Sequence, residues 1–311
     1  MTIPAADVAA LTLQEFDELL EGIKRWGAWG AEDQRGALNL ITPEHRARAA
    51  ALVADGTSVS LSRPLGRVAG PNLHEPATLE MYYEGTADLL RGVSDRFTLA
   101  VHGLANTHLD ALCHVLWRRK MWNGFGEDEL TSDGALRCGI EVAREGIVSR
   151  GVLLDMPRVV GRPYLEAGES ITAEDLERAE AAQGVQVSSG DVLLVRTGRA
   201  VRESTNGEAP LFPGSAAGLH LSTLRWLSDR GVALLGGDGT SDCWPSPVAG
   251  VSSPIHVGTL VMLGIHLLDS AALEALAGQC AARQRWEFLF ALGPLVIEGA
   301  TGCAVNPVAV F

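Results

Sequence analysis

Histidine and aspartate side chains are concentrated in the stretch "HGLANTHLDALCH", which runs from His102 to His114 and holds three of the eight histidines of the chain. His108 and Asp110 are two residues apart, so in an extended segment both side chains project from the same face. His114 follows Asp110 by four residues, and a helical or turn geometry would return it to that side. Imidazole and carboxylate ligands suit Zn²⁺, or Mn²⁺ in an oxygen-rich site. The spacing fits a metal site, but hydrogen-bonded histidines with Asp110 as a cap would also account for it.

The elements that position these residues alternate between strand and helix. Short apolar runs closed by Gly, Pro or Asp predict strands, namely "TSVSLSRPL", "RFTLAVH", "GVLLD", "DVLLVRTG", "VALLGGDG" and "GIHLLD". Helices are predicted at "LTLQEFDELLEGIKRW", after Thr42 and Pro43, after Thr172, and at "LSTLRWLSDRG". The Gly-rich segment 202–218 is predicted to be one long surface loop. This alternation predicts a single α/β domain over residues 1–311, with a helical segment of about residues 1–50 packed on it.

Composition limits the classes of partner. The net charge is −13 and no run of Lys and Arg is long enough to serve as a basic face, which argues against nucleic acid or a membrane surface as a partner. The acidic N-terminal segment does not resemble a signal peptide, and no apolar run reaches the roughly 18–20 residues of a membrane span. Five scattered cysteines without a CxxC pair favour reduced thiols in the cytoplasm. We therefore expect a small-molecule substrate.

The segment "NTHLDALCH" resembles the signature HxGTHxDxPxH of the cyclase family, metal-dependent hydrolases that include bacterial kynurenine formamidase and isatin hydrolase. Further similar blocks follow in family order: "WGAEDQRGALNLITPE", "GVLLDM", "GDVLLVRTGR", "ALLGGDGTSD" and "RWEFLFALGPLVIEGATGCAVNPVAVF". The resemblance covers most of the chain. It implies a swivelling β/β/α fold, a divalent metal ion, and hydrolysis of an amide or formamide.

The resemblance also implies roles for individual residues. His108 and Asp110 match the second histidine and the aspartate that bind the metal in the family. His114 matches the last histidine of the signature, which acts as the catalytic acid and base in the formamidases. It would take the proton of a metal-activated water and pass it to the leaving nitrogen.

The first metal histidine of the signature is missing, because Leu104 stands at its position, and Asn106 and Leu112 replace the Gly and Pro. His102 is the nearest upstream histidine. In a straight strand it would lie roughly 20 Å from His108, out of reach of a shared ion. A turn at Gly103 could bring it inward, and otherwise His102 would be a core histidine.

Two further family ligands match His256 and Asp269, the latter replacing a glutamate. The spacing is consistent with a helix that Gly264 ends and a returning strand. The helix would rise about 10 Å and the strand would descend about as far, so both ligands would meet at one end. His266 is an odd number of residues from Asp269 and should face the opposite side of the strand.

We therefore expect a metal-dependent hydrolase of amide-type C–N bonds, resembling an arylformamidase of tryptophan catabolism that acts on N-formylkynurenine. The alternatives are a lactone or imide hydrolase, a ring-closing biosynthetic cyclase, or a non-catalytic ligand-binding protein with a degraded metal site. Trp117, Trp122 and Asp238 are candidate residues of the substrate pocket. The resemblance further implies a homodimer or homotetramer, and Trp117 or Trp122 is predicted near the subunit contact, since Trp and Arg are enriched at interfaces.

Overall fold

The structure is a computed structural model that describes residues 11–86, 89–212 and 214–311. Its strands are β1 (Ser58–Ser60), β2 (Thr78–Thr86), β3 (Leu90–Thr98), β4 (His108–Asp110), β5 (Leu130–Thr131), β6 (Gly134–Ala135), β7 (Ile147–Asp155), β8 (Ser170–Ile171), β9 (Val192–Arg196), β10 (Gly218–Leu219), β11 (Leu234–Gly237), β12 (His266–Asp269), β13 (Glu287–Leu292), β14 (Gly302–Ala304) and β15 (Val308–Val310). Its helices are α1 (Leu13–Ile23), α2 (Pro43–Ala50), α3 (Met156–Val160), α4 (Ala173–Gln183), α5 (Arg199–Asn206), α6 (Ser222–Arg230), α7 (Pro254–His256) and α8 (Glu274–Arg283). Short 3₁₀ turns span Gly36–Leu40, Trp122–Gly124, Glu127–Glu129 and Ile140–Ala143, and a π-helix spans Val257–Leu263.

A nine-stranded mixed sheet forms the centre of the fold, in the order β1-β15-β13-β7-β9-β11-β12-β4-β14. The four strands β7, β9, β11 and β12 run parallel to one another, while the remaining pairs of this sheet are antiparallel. The parallel strands are fully or largely buried and rich in Leu and Val, as expected for strands covered on both faces. Because β4 is antiparallel to β12, its first residue lies beside the last residue of β12.

The predicted helix starts are confirmed by capping boxes. Thr42 and Thr172 accept hydrogen bonds from the backbone N–H groups of His45 and Asp175, whose side chains bond back to the cap residues. Helix α1 buries Phe16, Leu20 and Ile23 on one face and packs against α6 and the π-helix. Residues 1–10 of the predicted N-terminal segment lie outside the described residues.

Two elements differ from the sequence-based expectation. The segment 202–218, predicted as one surface loop, contributes the larger part of helix α5 before the chain becomes irregular; Pro213 of that segment lies outside the described residues. Strands β2 and β3 form a separate two-stranded hairpin, of which the sequence analysis identified only the last part. Side chains along both strands are exposed, so most of this hairpin lacks the continuous apolar runs from which the other strands were predicted.

One continuous apolar core joins the sheet to the helices on its faces, and this confirms the predicted single α/β domain. The last strand, β15, is inserted between β1 and β13, and the C-terminal Phe311 is buried. The swivelling β/β/α arrangement implied by the family resemblance stays a prediction. Within the described part of the chain, no helix is long and apolar enough to cross a bilayer.

Candidate metal centre

The neighbouring strands β4 and β12, inside the sheet, hold the first three polar residues of the site. His108 of β4 lies beside Asp269 of β12 in register, and Asp110 lies beside Leu267. His108 Nε2 is 3.4 Å from Asp110 Oδ1, so the two side chains share one face of the strand as their spacing predicts. All three are buried. A buried pair of aspartates requires positive charge nearby.

A helix and its return strand bring His256 to the same place. Helix α7 continues into the π-helix, Gly264 ends it in the left-handed conformation, and β12 runs back to Asp269. As a result, His256 Nε2 lies 3.4 Å from Asp269 Oδ2 and 3.7 Å from Asp110 Oδ2. The predicted order of helix, turn and strand is confirmed, although the helix after His256 is a π-helix and not the α-helix whose rise the prediction used.

A turn before β4 brings His102 inward. Gly103 has a φ of +149°, a conformation that favours glycine, and it reverses the chain between His102 and His108. His102 Nδ1 lies 3.0 Å from Asp110 Oδ1. Room for its ring depends on Gly302, because an added Cβ there would lie 2.8 Å from Cε1 of His102. Leu104, at the position of the family's first histidine, packs instead near Leu211, Ala216 and Trp244.

Asp110 is the centre of this cluster. Two triads share it, His102–His108–Asp110 and Asp110–His256–Asp269, and within each triad the ligand atoms lie within 4.8 Å of one another. Two ligands that are each about 2.1 Å from one ion lie about 3–4 Å from each other, and the distances of 3.0–3.7 Å given above fall in that range. Neither oxygen of Asp110 accepts a hydrogen bond of good geometry from a described residue. Three imidazoles and two carboxylates thus fit a divalent cation in charge, spacing and chemistry.

Each of the three histidines has an inner ring nitrogen, which faces Asp110, and an outer ring nitrogen, which faces away from it. The outer nitrogen of each is held by a hydrogen-bond partner. His108 Nδ1–H donates to the carbonyl of Asn106 at 2.9 Å, and His256 Nδ1–H donates to Asp242 Oδ2 at 2.5 Å. His102 Nε2 lies 2.9 Å from the hydroxyl oxygen of Thr301. In every case the inner nitrogen faces Asp110, which is the orientation that a metal-binding histidine needs.

The electrostatics of the cluster favour bound positive charge. Burial alone would lower the pKa of His108, yet Asp110 and Asp269 raise it to about 9. Burial likewise opposes protonation of His256, but Asp242 and Asp269 raise its pKa well above the ordinary value. Burial would raise the pKa of Asp110, while the charge of His108 and the proximity of His102 hold it well below the usual range. Protons on His108 and His256 therefore compete with a divalent cation for the space around Asp110.

His114 lies beside the cluster and not within its two triads. A turn follows β4, in which the His114 N–H donates to the carbonyl of Ala111 at 3.0 Å, and this returns the side chain toward Asp110. Its ring stacks on that of His102, with centroids 3.6 Å apart. Burial lowers the pKa of His114 to about 4, although the charge of Asp110 opposes the shift. The ring of His114 is consequently neutral at neutral pH.

The two tryptophans predicted near the pocket or the subunit contact both pack against the N-terminal segment, and their predicted roles stay predictions. Trp122 is fully buried and its indole N–H donates to Asp33, so its side chain is part of the core. Trp117 packs edge-on against Phe16, and its N–H donates to Asp17 of α1. Both indoles are thus occupied in attaching the N-terminal segment to the domain.

Asp238, also predicted to line the pocket, holds the start of α5. Its Oδ1 accepts hydrogen bonds from the backbone N–H and the hydroxyl of Thr197, and its Oδ2 accepts from the N–H groups of Gly198 and Arg199. With both oxygens engaged in this way, the carboxylate is structural. The sequence could not distinguish this role from pocket lining, because the bonds join residues about 40 positions apart.

Asp242, in the same segment, contacts a candidate ligand directly. Besides the Nδ1–H of His256, it accepts the backbone N–H of Ile255 at 2.7 Å, so it fixes both the ring and the start of α7. Ser241 donates to Asp269 Oδ1 at 3.2 Å. The segment "GGDGTSD" thus supports two of the five candidate ligands.

Comparison with known proteins assigns the family. A family model described as "Putative cyclase" matches residues 44–241, which is more than half of the chain. The chain belongs to the cyclase family. A crystal structure described as that of a novel cyclase is 33% identical over 93% of this chain and 99% of its own, with a TM-score of 0.82. The family resemblance of the motif is thereby confirmed.

Two more distant solved structures share the fold. Isatin hydrolase A from Ralstonia solanacearum is 20% identical over 82% of this chain and 92% of its own, with a TM-score of 0.56. A "predicted metal-dependent hydrolase" from Bacillus stearothermophilus is 15% identical over 82% of this chain and 98% of its own, with a TM-score of 0.52. A search of curated proteins gave no match.

Proposed function

We propose that this cyclase-family protein is a metal-dependent hydrolase that cleaves an amide-type C–N bond in a small substrate. The observation that carries the proposal is the arrangement of His102, His108 and His256, each anchored by its outer nitrogen and each facing Asp110 with its inner nitrogen. Asp269 completes the set. Such a set has no evident structural purpose, because it leaves the carboxylate of Asp110 buried without hydrogen bonds from described residues.

The substrate class rests on the relatives and on charge. Fold relatives are named isatin hydrolase, and isatin contains a cyclic amide beside an aromatic ring. The acidic chain, with a net charge of −13, favours a small neutral or modestly charged substrate. N-formylkynurenine is the more specific candidate and would make the protein an arylformamidase of tryptophan catabolism in the cytoplasm. Mixed imidazole and carboxylate ligands suit Zn²⁺ or Mn²⁺.

A divalent ion bound by the five residues would activate a water and polarise the substrate carbonyl. The protein itself performs the remaining tasks. Asn106 and Asp242 accept the Nδ1–H of His108 and His256, so that each ring, when neutral, has its inner nitrogen free to bind an ion. His114, neutral and partly exposed beside His102, is placed to accept a proton from water and return it to the leaving nitrogen.

The proposal is tested on purified protein loaded separately with Mn²⁺ and Zn²⁺. Metal content is measured by mass spectrometry, and turnover is measured with N-formylkynurenine, isatin, a lactone and a cyclic imide. We expect stoichiometric metal and turnover of an amide, and we expect the isosteric Asp110→Asn variant to lose both. Bound metal with no turnover of any substrate would support a ligand-binding protein. Turnover of the lactone alone would show that the enzyme cleaves an ester C–O bond and not the proposed C–N bond.

A further inference from the structure

A second, smaller apolar cluster lies apart from the main core among the described residues. Leu211, Ala216 and Trp244 are buried in it, and the half-buried Leu104 packs against them. The ring of Phe212 lies 5.2 Å from that of Trp244, at an interplanar angle of 57°. We call Leu104, Phe212 and Trp244 the apolar wall. None of these three side chains carries a charge.

Hydrogen bonds fix both loops that form the apolar wall. The side chain of Asn72, which is buried, accepts the N–H of Leu211 at 2.8 Å and donates to the carbonyl of Ala209 at 3.0 Å. The indole N–H of Trp244 donates to the carbonyl of Ser252 at 2.7 Å. The apolar wall is therefore preorganised, and a ligand that binds to it does not have to order these loops first.

Two short connections join the apolar wall to the candidate metal centre. Leu104 is two residues after His102 in the chain. Trp244 is two residues after Asp242, which accepts the Nδ1–H of His256. Two residues of extended chain span at most about 7 Å. The apolar wall is therefore close enough to the centre for one small molecule to contact both.

The candidate metal centre is most open on the side of His102. The side chain of His102 is 27% exposed, whereas those of the other four candidate ligands are at most 11% exposed. Leu104 follows on this side, and Phe212 has a free ring face, because it is 52% exposed. An apolar group of a molecule bound at the centre would gain free energy by covering this face.

We propose that the apolar wall determines substrate specificity by binding an aromatic ring attached to the amide that is cleaved. This inference rests on the proposed function, since it assigns the part of the substrate next to that amide. Phe212 offers its free ring face, and Trp244 holds that ring from behind. Aromatic rings pack favourably in offset or edge-on contact, so a third ring completes the cluster.

The proposal also gives a physical reason for the departure from the family signature at position 104. A histidine there would present a polar ring to the apolar cluster of Leu211 and Trp244. Because His102 faces Asp110 instead, residue 104 is not needed as a metal ligand. Leucine at this position then contributes an apolar contact to the substrate.

The experiment compares two formamides that differ in the group on nitrogen, formanilide with a phenyl ring and N-methylformamide with a methyl group. The ratio of their kcat/KM values, formanilide over N-methylformamide, measures the preference for the ring. It is determined for the unaltered chain and for Phe212→Ala, Phe212→Tyr and Phe97→Ala, all loaded with the same metal ion. Phe97 is the control, because it is 58% exposed and lines an apolar cleft to which the apolar wall does not contribute.

We expect Phe212→Ala to lower the preference about 10-fold, because the ring contact and the apolar area that it covers are lost. Phe212→Tyr keeps the ring and should leave the preference within about 2-fold of the unaltered chain. Phe97→Ala should leave it unchanged. Thermal unfolding establishes that each variant folds. If Phe212→Ala does not fold, Leu104→Asn replaces it, and the same loss of preference is expected.

A binding measurement separates this inference from the proposed function. Where neither formamide is turned over, calorimetric titration gives the Kd of formanilide for the same metal-loaded proteins. A Kd that Phe212→Ala raises about 10-fold would support the apolar wall even if the proposed hydrolysis fails. Turnover with an unchanged preference in Phe212→Ala would overturn the inference alone. An equal loss of preference in Phe97→Ala, or no binding of formanilide at all, would overturn it as well.

Discussion

The imidazole rings of His102 and His114 are stacked in parallel, with centroids 3.6 Å apart and an interplanar angle of 6°. Such a stack disfavours charge on both rings at once, because two like charges at this distance repel each other strongly. His102 uses Nδ1 toward Asp110, while the ring of His114 covers one of its flat faces. The pair thus combines a candidate ligand with a neighbouring base.

His114 should affect turnover without affecting metal content. We expect His114→Gln to lower kcat by about 10²-fold to 10⁴-fold, the usual contribution of a general acid or base. Metal content, measured by mass spectrometry on the same preparation, should be unchanged. His220→Gln is the control, since His220 bonds Ser222 at the start of α6. Loss of metal from the His114 variant would make His114 a ligand instead of a base.

His102 should be required for metal affinity although it stands outside the family spacing. Removal of a ligand should cost at least as much as removal of a supporting residue, so we expect His102→Ala to raise the metal Kd at least about 10-fold. Adding Leu104→His should not restore binding, because residue 104 packs near Trp244 and Leu211. Calorimetric titration with Mn²⁺ and Zn²⁺ measures both variants. If the histidine at position 104 fully restored metal binding, the inward position of His102 at the Gly103 turn would be contradicted.

Two aspartates of one loop should behave differently when they are changed to asparagine. Asp242→Asn weakens the bond that orients His256, and we expect the metal Kd to rise about 10-fold to 100-fold. Asp238→Asn loses bonds to the Thr197–Arg199 backbone, so it should lower the thermal unfolding temperature and leave the metal Kd nearly unchanged. Equal effects of the two variants on metal binding would contradict these assignments.

His266 should make the metal-free protein sensitive to acid. Burial lowers its pKa to about 3, and neither ring nitrogen has a hydrogen-bond partner among the described residues. Between pH 6.5 and 3 the unfolded chain therefore binds a proton that the folded chain excludes, so stability falls as the pH falls. From pH 7 to pH 5 this residue should cost about 2 kcal/mol of unfolding free energy.

The His266→Leu variant should lose that part of the pH dependence. Urea unfolding at pH 7 and pH 5, with chelator present, measures it as a smaller difference between the two conditions. The same substitution at the exposed His74 should leave the difference unchanged. An undiminished difference in the His266 variant would show that other groups govern the acid sensitivity.

Local patterns in the sequence were enough to predict much of the fold and part of the site. The caps at Thr42 and Thr172 depend on residues three positions away, and the shared face of His108 and Asp110 depends on strand geometry alone. The meeting of His256 and Asp269 followed from the rise of one helix and one strand. These features are set by the backbone over a few turns or residues, which is why spacing predicts them.

Contacts between distant segments decided the rest. Trp122 is buried because Asp33, 89 residues earlier, accepts its N–H, and Asp238 is structural because the start of α5 folds onto it. The inward position of His102 depends on a turn at Gly103 and on the space beside Gly302, and the hairpin of β2 and β3 depends on the pairing of two exposed strands. A carboxylate or an indole can satisfy its hydrogen bonds in many ways, and only the tertiary structure selects the partner.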